Sequence, residues 1–397
     1  MAAWPGLLLA CRRRRPCWRY LVLIRAGGDG VPEFGRVTIV GLGLIGGSLG
    51  MALIHGGVAA EVVGFARGAQ TRSLAVELEA VHRATASLGE AVAGAELVVL
   101  AVPVGAMPAL AAAMKGDLSP GAIVTDVGST KETVVHSLEN CLAPEAAYVG
   151  GHPMSGSERS GVRAADPYLF ENAAYVLTPT DKTPPEAVER VQALARGVGA
   201  LPLVLDPAVH DYLVAAVSHL PHLVAVTLTQ TLARIAVDTP EALLLTAGGF
   251  RDTTRVAGGD ADLWRDIFLA NREKLLQVLQ AFRGRLDRLE QEIRAADAAG
   301  LGQTLEEARA WRAKIPARAK GLLPGIYELV VTVPDRPGVI ARLGSILADR
   351  GINIIDIEIL RVREGEGGSI RLGLQSLEAA EAAYASLRAN NIRVQWR

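Results

Sequence analysis

The chain has 397 residues, with 41 Lys+Arg against 42 Asp+Glu and a formal net charge of -1. That balance gives no global basic field for nucleic acid, and the length points to two or three domains. Half the residues are apolar and 21% are charged, a globular composition that excludes disordered and fibrous classes. Cys11, Cys17 and Cys141 are odd in number and lack metal-ligand spacing, so a reduced cytoplasmic setting without a metal site is expected.

The N-terminus carries a short apolar run followed by Arg12 to Arg15. A secretory signal places its charges before the apolar segment, so residues 1–34 read as a disordered extension. From Gly35 onward, strands and helices alternate. Arg36 to Gly41 reads as a strand, Leu44 to His55 as a helix and Glu61 to Phe65 as a second strand. Leu97 to Val102 is wholly apolar, as expected for a parallel strand buried on both faces. The uncharged run Leu97 to Met114 approaches spanning length, but Pro103, Gly105 and Pro108 divide it into strand, turn and helix, so no membrane span is expected. Ala122 to Asp126, Ala147 to Gly150 and Ala174 to Leu177 continue the series. Residues 35–205 therefore read as a doubly wound, Rossmann-like α/β domain.

After Asp206-Pro207 the pattern is helical: Ala208 to Ala236, Pro240 to Ala247, and Leu263 to about Ala296. Leu275, Leu279, Phe282, Leu286, Leu289 and Ile293 form an a/d seam, suited either to packing within one bundle or to a dimer interface. Residues 206–320 read as a helical substrate and dimerisation domain, closed by a linker at Gly321 and Pro324-Gly325. In residues 325–397 the order is β-α-β-β-α-β: Tyr327 to Val333, Gly338 to Arg350, Ile352 to Val362, Ser369 to Leu374, Leu377 to Ala389 and Arg393 to Trp396. That is a ferredoxin-like α+β unit.

Gly41-Leu42-Gly43-Leu44-Ile45-Gly46 follows a strand and opens a helix, the context in which such glycines cradle a pyrophosphate at the helix N-terminus. Val102, Pro103 and Asp126, at strand ends, are expected in the same cofactor site. The carboxylate that grips the adenosine ribose of NAD is expected near position 66, where Ala66 stands, followed by Arg67. Arg67 suits a 2′-phosphate or an adenine face, so NAD and NADP both stay open. His152, between Gly151 and Pro153, is expected in a loop, where an imidazole suits proton abstraction from an alcohol during hydride removal. Arg251 and Arg255, beside Gly248-Gly249, suit an acidic substrate; His219 and His222 read equally as site or core residues.

Together, Gly41-x-Gly43-x-x-Gly46, Asp126-x-Gly-Ser129-x-Lys131, Gly151-His152-Pro-Met, Ser218-His-Leu-Pro-His222 and Phe250-Arg-Asp-Thr-Thr-Arg255 with Trp264-Arg-Asp266 resemble the prephenate dehydrogenase family from about Gly35 to Ile315. Val333-Pro-Asp335-Arg-Pro337-Gly338 and Gly351-Ile-Asn353-Ile resemble an ACT regulatory domain. The resemblance implies oxidative decarboxylation of prephenate to 4-hydroxyphenylpyruvate in tyrosine biosynthesis. It implies that His152 takes the hydroxyl proton, Ser129 holds that hydroxyl and orients the imidazole, and Arg255, His222, Glu158 and Trp264 surround the substrate. It further implies a homodimer, and feedback by tyrosine at Asp335, Pro337, Gly338 and Asn353. The alternatives are an arogenate dehydrogenase and a non-catalytic dinucleotide-binding sensor of amino acids.

Overall fold

A computed structural model describes residues 32–157, 159–315, 327–334, 336–363 and 367–396. The expected N-terminal extension up to Val31 and the expected linker lie outside the described residues. Strands β1 (Phe34–Val40), β2 (Ala59–Phe65), β3 (Arg83–Thr85), β4 (Leu97–Leu100), β5 (Ile123–Asp126), β6 (Ala147–Pro153), β7 (Ala174–Thr178) and β8 (Leu201–Val204) form one sheet, ordered β3-β2-β1-β4-β5-β6-β7-β8. Helices α1 (Leu44–His55), α2 (Ala69–Glu77), α3 (Leu88–Val92), α4 (Met107–Met114), α5 (Glu132–Leu142) and α6 (Pro185–Gly197) connect these strands. Successive residues of β1 and β4 point to opposite faces, so Ile39, Leu97 and Val99 join one apolar core while Val40, Val98 and Leu100 join another. Two cores on two faces are what the doubly wound architecture demands.

The sheet departs from the sequence expectation at its far edge. β6 pairs parallel with β5 through Ala147–Val149 and then antiparallel with β7 through Gly150–Pro153. That second pairing extends the strand beyond the expected Gly150, and His152 lies within it opposite Val176 rather than in a loop. β3 and β8 were not anticipated, being edge strands of three and four residues, too short for a period-2 signal.

Asp206 caps α7 (Pro207–Val214), its Oδ1 accepting the N–H groups of Ala208 and Val209 at 2.8 and 3.1 Å. The helix passes through a π turn, Ala215–His219, into α8 (Leu220–Asp238). α9 (Gly248–Thr254), α10 (Ala261–Ala270), α11 (Arg272–Arg294) and α12 (Ala298–Lys314) follow. The stretch expected to be continuous from Leu263 to Ala296 is divided at Asn271, whose buried amide donates to the Asp211 carbonyl at 2.8 Å. The run Pro207–Asp238 contains an 18-residue stretch of mean hydropathy 1.4, long and apolar enough by composition to cross a membrane. Yet it carries His210, Asp211, His219 and His222, all buried against protein.

The C-terminal unit comprises β9 (Tyr327–Val333), α13 (Val339–Ala348), β10 (Asp356–Arg363), β11 (Gly367–Leu374), α14 (Leu377–Ala389) and β12 (Arg393–Trp396). Its antiparallel sheet has the order β10-β11-β9-β12, and Leu329, Val331, Ile370 and Leu372 form a core with Leu343, Leu347 and Leu387 of the two helices. This is the ferredoxin-like arrangement expected from the order of elements.

Candidate active site

The glycine loop lies where the strand order reverses, between β1 and β4. Gly41 has φ +105°, and a Cβ there would meet the Ala101 carbonyl oxygen at 2.4 Å. A Cβ on Gly46 would meet the Gly41 carbonyl oxygen at 2.0 Å, so that glycine sets the approach of helix to strand. Gly43 differs: a Cβ on it would touch nothing within 4 Å, and the space above its backbone is open. Helix α1 begins there with no side-chain cap and no acidic residue in its first turn. Leu44 and Ile45 are half-buried in that turn, while Leu42 is buried beneath it. Free N–H groups and the positive dipole end thus face open space, which fits the pyrophosphate of a dinucleotide. Val102 abuts the loop, its Cγ1 standing 2.7 Å from the position a Gly41 Cβ would take, and exposed Pro103 follows. At the end of β2 no carboxylate is present: Ala66 is half-buried, Arg67 is exposed, and Arg72 donates to both their carbonyls at 2.7 Å.

Asp126 ends β5 fully buried, and its carboxylate is turned into the protein. Oδ1 accepts from Tyr148 Oη at 2.7 Å and the Gly151 N–H at 3.0 Å, while Oδ2 accepts from the Gly128 N–H at 2.8 Å and from buried Lys131 Nζ. Both oxygens are occupied, which leaves the expected cofactor contact without a free lone pair. Its place in the structure is to hold the β5 loop and the His152 strand together. Gly151 permits that closeness, because a Cβ there would meet the Asp126 carbonyl oxygen at 2.5 Å.

His152 is buried at the carboxyl edge of β6, its Nδ1 2.8 Å from His210 Nε2. Burial first, then the charges of His210, Lys131 and His219, holds its pKa well below the ordinary histidine value. At neutral pH the ring is an uncharged base. His210 in turn places Nδ1 2.8 Å from Asp211 Oδ1. Asp211 Oδ1 also accepts the Lys131 N–H at 2.7 Å and Oδ2 the Glu132 N–H at 2.9 Å, tying α7 to the start of α5. Ser129 is half-buried in the loop before α5 and makes no hydrogen bond among the described residues; the imidazole contact expected from it is made by His210.

On the helical side, His222 is buried and stacked on Trp264 with centroids 3.6 Å apart, and Phe268 meets it edge-on. Burial lowers the His222 pKa, and its buried Nδ1 has no partner among the described residues. His219 lies edge-on to Trp264 at 6.2 Å, with Nδ1 3.1 Å from the Asn271 amide, and burial depresses its pKa to about 4. The turn that begins at Arg255 packs on α8, and α10, which carries Trp264, packs on the turn Val104–Ala106 beyond Pro103. The two halves of the expected site therefore meet. Glu158 and Asp335 lie outside the described residues. Beside α13, a cleft of about 570 Å³ is lined by Thr332, Pro337, Gly338, Arg342 and Asn391, whereas Asn353 stands outside it, exposed before β10.

His210, Asp211 and Asn271 escaped the sequence reading. The available signal was a titratable His-Asp pair placed one turn after an N-cap in an otherwise apolar helix.

A chain that presents bare helix N–H groups to a pyrophosphate and an uncharged imidazole to an alcohol is built as a dinucleotide-dependent dehydrogenase. Family models match along its length: the prephenate dehydrogenase nucleotide-binding domain over residues 49–203, the prephenate dehydrogenase dimerization domain over 206–307, and the ACT domain over 327–376. The chain belongs to the prephenate dehydrogenase family and is an NAD(P)-dependent oxidoreductase. It is 35% identical over 354 residues to prephenate dehydrogenase of Bacillus subtilis, covering 89% of this chain and 95% of that one. The crystal structure of prephenate dehydrogenase from Aquifex aeolicus in complex with hydroxyphenyl propionate and NAD+ matches with TM-score 0.67 and 35% identity, over 71% of this chain and 98% of that one. Synechocystis arogenate dehydrogenase matches with TM-score 0.62 and 34% identity, over 70% and 99% of the two chains.

Proposed function

We propose that this chain oxidises and decarboxylates prephenate to 4-hydroxyphenylpyruvate, with tyrosine as its feedback effector. The observation that carries the reading is the neutral, buried His152, one ring nitrogen engaged by His210, on a sheet edge shared with the glycine loop. Gly41, Gly43, Gly46 and the first turn of α1 hold the dinucleotide, which when bound supplies the hydride acceptor. Ser129 holds the substrate hydroxyl, and His152 Nε2 receives its proton as the ring carbon is oxidised. Loss of CO2 leaves an electron pair that aromatises the ring, and the oxygen regains the proton from His152. No proton is released overall, so the residue need only lend and return it. The unpartnered His222 Nδ1 and the Arg255 guanidinium receive the substrate carboxylates, with Trp264 as the wall behind His222.

The same reading gives residues 35–205 to the dinucleotide, 206–320 to substrate and dimerisation, and 325–397 to regulation, in a cytoplasmic homodimer. At the end of β2, the absence of a carboxylate and the presence of Arg67 favour a cofactor with a 2′-phosphate. The test is reduced-cofactor absorbance with prephenate and arogenate crossed against NAD and NADP. Turnover of prephenate is expected, with Arg67→Asp lowering the NADP-to-NAD ratio of kcat/KM about tenfold or more. Turnover of arogenate alone would replace the substrate assignment, and an unchanged ratio would remove Arg67 from cofactor choice.

A further inference from the structure

We propose that His210, anchored by Asp211, is a positioning residue that fixes His152 in the one tautomer able to act as a base. The inference rests on His152 being the base and extends that reading to two residues outside its motif. A carboxylate only accepts, so the 2.8 Å contact with Asp211 Oδ1 places the His210 proton on Nδ1. With that proton on Nδ1, His210 turns Nε2 to His152 as an acceptor, and the 2.8 Å contact puts the His152 proton on Nδ1. Nε2 of His152 is left unprotonated, as an incoming hydroxyl proton needs.

The chain of contacts is rigidly seated. His210 and Asp211 are buried, and Asp211 is locked by the Lys131 and Glu132 N–H groups, donors that cannot turn away without unwinding the start of α5. The Asn271 amide holds the Asp211 carbonyl from the other side. The His152 and His210 rings are inclined at 73°, an edge contact in which neither stacks on the other. The groups facing His152 from neighbouring elements are His210 on α7, Lys131 before α5 and His219 in the π turn; both of the latter are engaged elsewhere, with Asp126 and Asn271.

The test is made at His210, because replacing Asp211 would also strip the cap from α5. In His210→Phe the ring volume remains and the acceptor is lost, whereas in His210→Gln an amide oxygen can still accept from His152. The expected result is a fall in kcat of about tenfold or more for the Phe variant, because much of the His152 population then carries its proton on Nε2 and cannot act as a base. KM for the cofactor should stay within about twofold, and the Gln variant should recover most of the loss. Nitrogen-15 spectra of histidine-labelled protein, with His152 assigned by its absence in His152→Ala, should show the wild-type ring protonated at Nδ1 alone. In His210→Phe both tautomers should appear. A wild-type ring protonated at Nε2, or a Phe variant that keeps its kcat, would overturn the assignment. His152→Ala separates the two levels: full activity in it removes the base itself, whereas a dead His152→Ala beside an active His210→Phe removes only the positioning role.

Discussion

Burial decides what His152 can do. A histidine in water loses half its base form near pH 6.5, but here the charged imidazolium is disfavoured by the surrounding protein, and the positive neighbour Lys131 adds to that effect. Activity that depends on the neutral ring is therefore kept as pH falls through 6.5 and is lost only where His152 itself protonates. The acid limb of kcat/KM against pH, which reports the free enzyme, should lie below 6.5. A limb at or above 6.5 would show that the base is solvated. The legibility of the site divides at this scale. His152 could be found because Gly151 and Pro153 mark it out, and Ser129 because it follows a strand end. The direction of the Asp126 side chain could not be found: a carboxylate at a strand end reads as a ligand contact until Tyr148, Gly128, Gly151 and Lys131 are seen to surround it. His210 and Asp211 were illegible for a related reason, since their meaning depends on a strand 58 residues away in the chain.

Elements bounded by glycine, proline, serine or asparagine in the sequence were readable to their ends. Helices α1 and α14 and strands β9 and β12 carry the same limits in sequence and structure. Elements defined by a neighbour were not: β6 is lengthened by β7, and α10 is parted from α11 by what Asn271 holds. The a/d seam of α11 shows both outcomes within one helix. Leu275 is buried inside the chain, while Leu286 and Ile293 are 54% and 65% exposed. The following helix, α12, has no buried residue, and Leu305 and Trp311 lie open on it. Leu286, Ile293 and Leu305 lie within the region matched by the family's dimerization domain model, which favours an association face for the exposed part of the seam. Ile293→Asp should shift the dimer toward monomer in light scattering at micromolar concentration, because a carboxylate facing its own copy is both desolvated and repelled. A wild-type chain that is monomeric in the same experiment would return the seam to packing within one bundle.

At the scale of the whole molecule, the regions matched by the dehydrogenase models and by the ACT domain model fall on separate stretches of chain. The Aquifex aeolicus structure is matched over 98% of its length by only 71% of this chain, so that solved chain has no counterpart for the remainder. The part beyond Leu323 has its own apolar core and its own cleft, in which Arg336 and Arg342 lie beside the backbone of Gly338 at the uncapped start of α13. Cationic side chains and a helix N-terminus together suit an amino-acid carboxylate, and Gly338, at φ +88°, allows the chain to turn into the helix without a side chain in the way. A chain ending at Leu323 should therefore turn over prephenate with its rate no longer lowered by tyrosine, whereas the full chain is inhibited. Arg342→Glu in the full chain should lose the same response by reversing charge in the cleft while the unit stays attached. If both variants remained sensitive to tyrosine, the effector would have to bind within the catalytic unit, competing at His222 and Arg255, the groups proposed to receive the substrate carboxylates, and inhibition would then be relieved by raising prephenate alone.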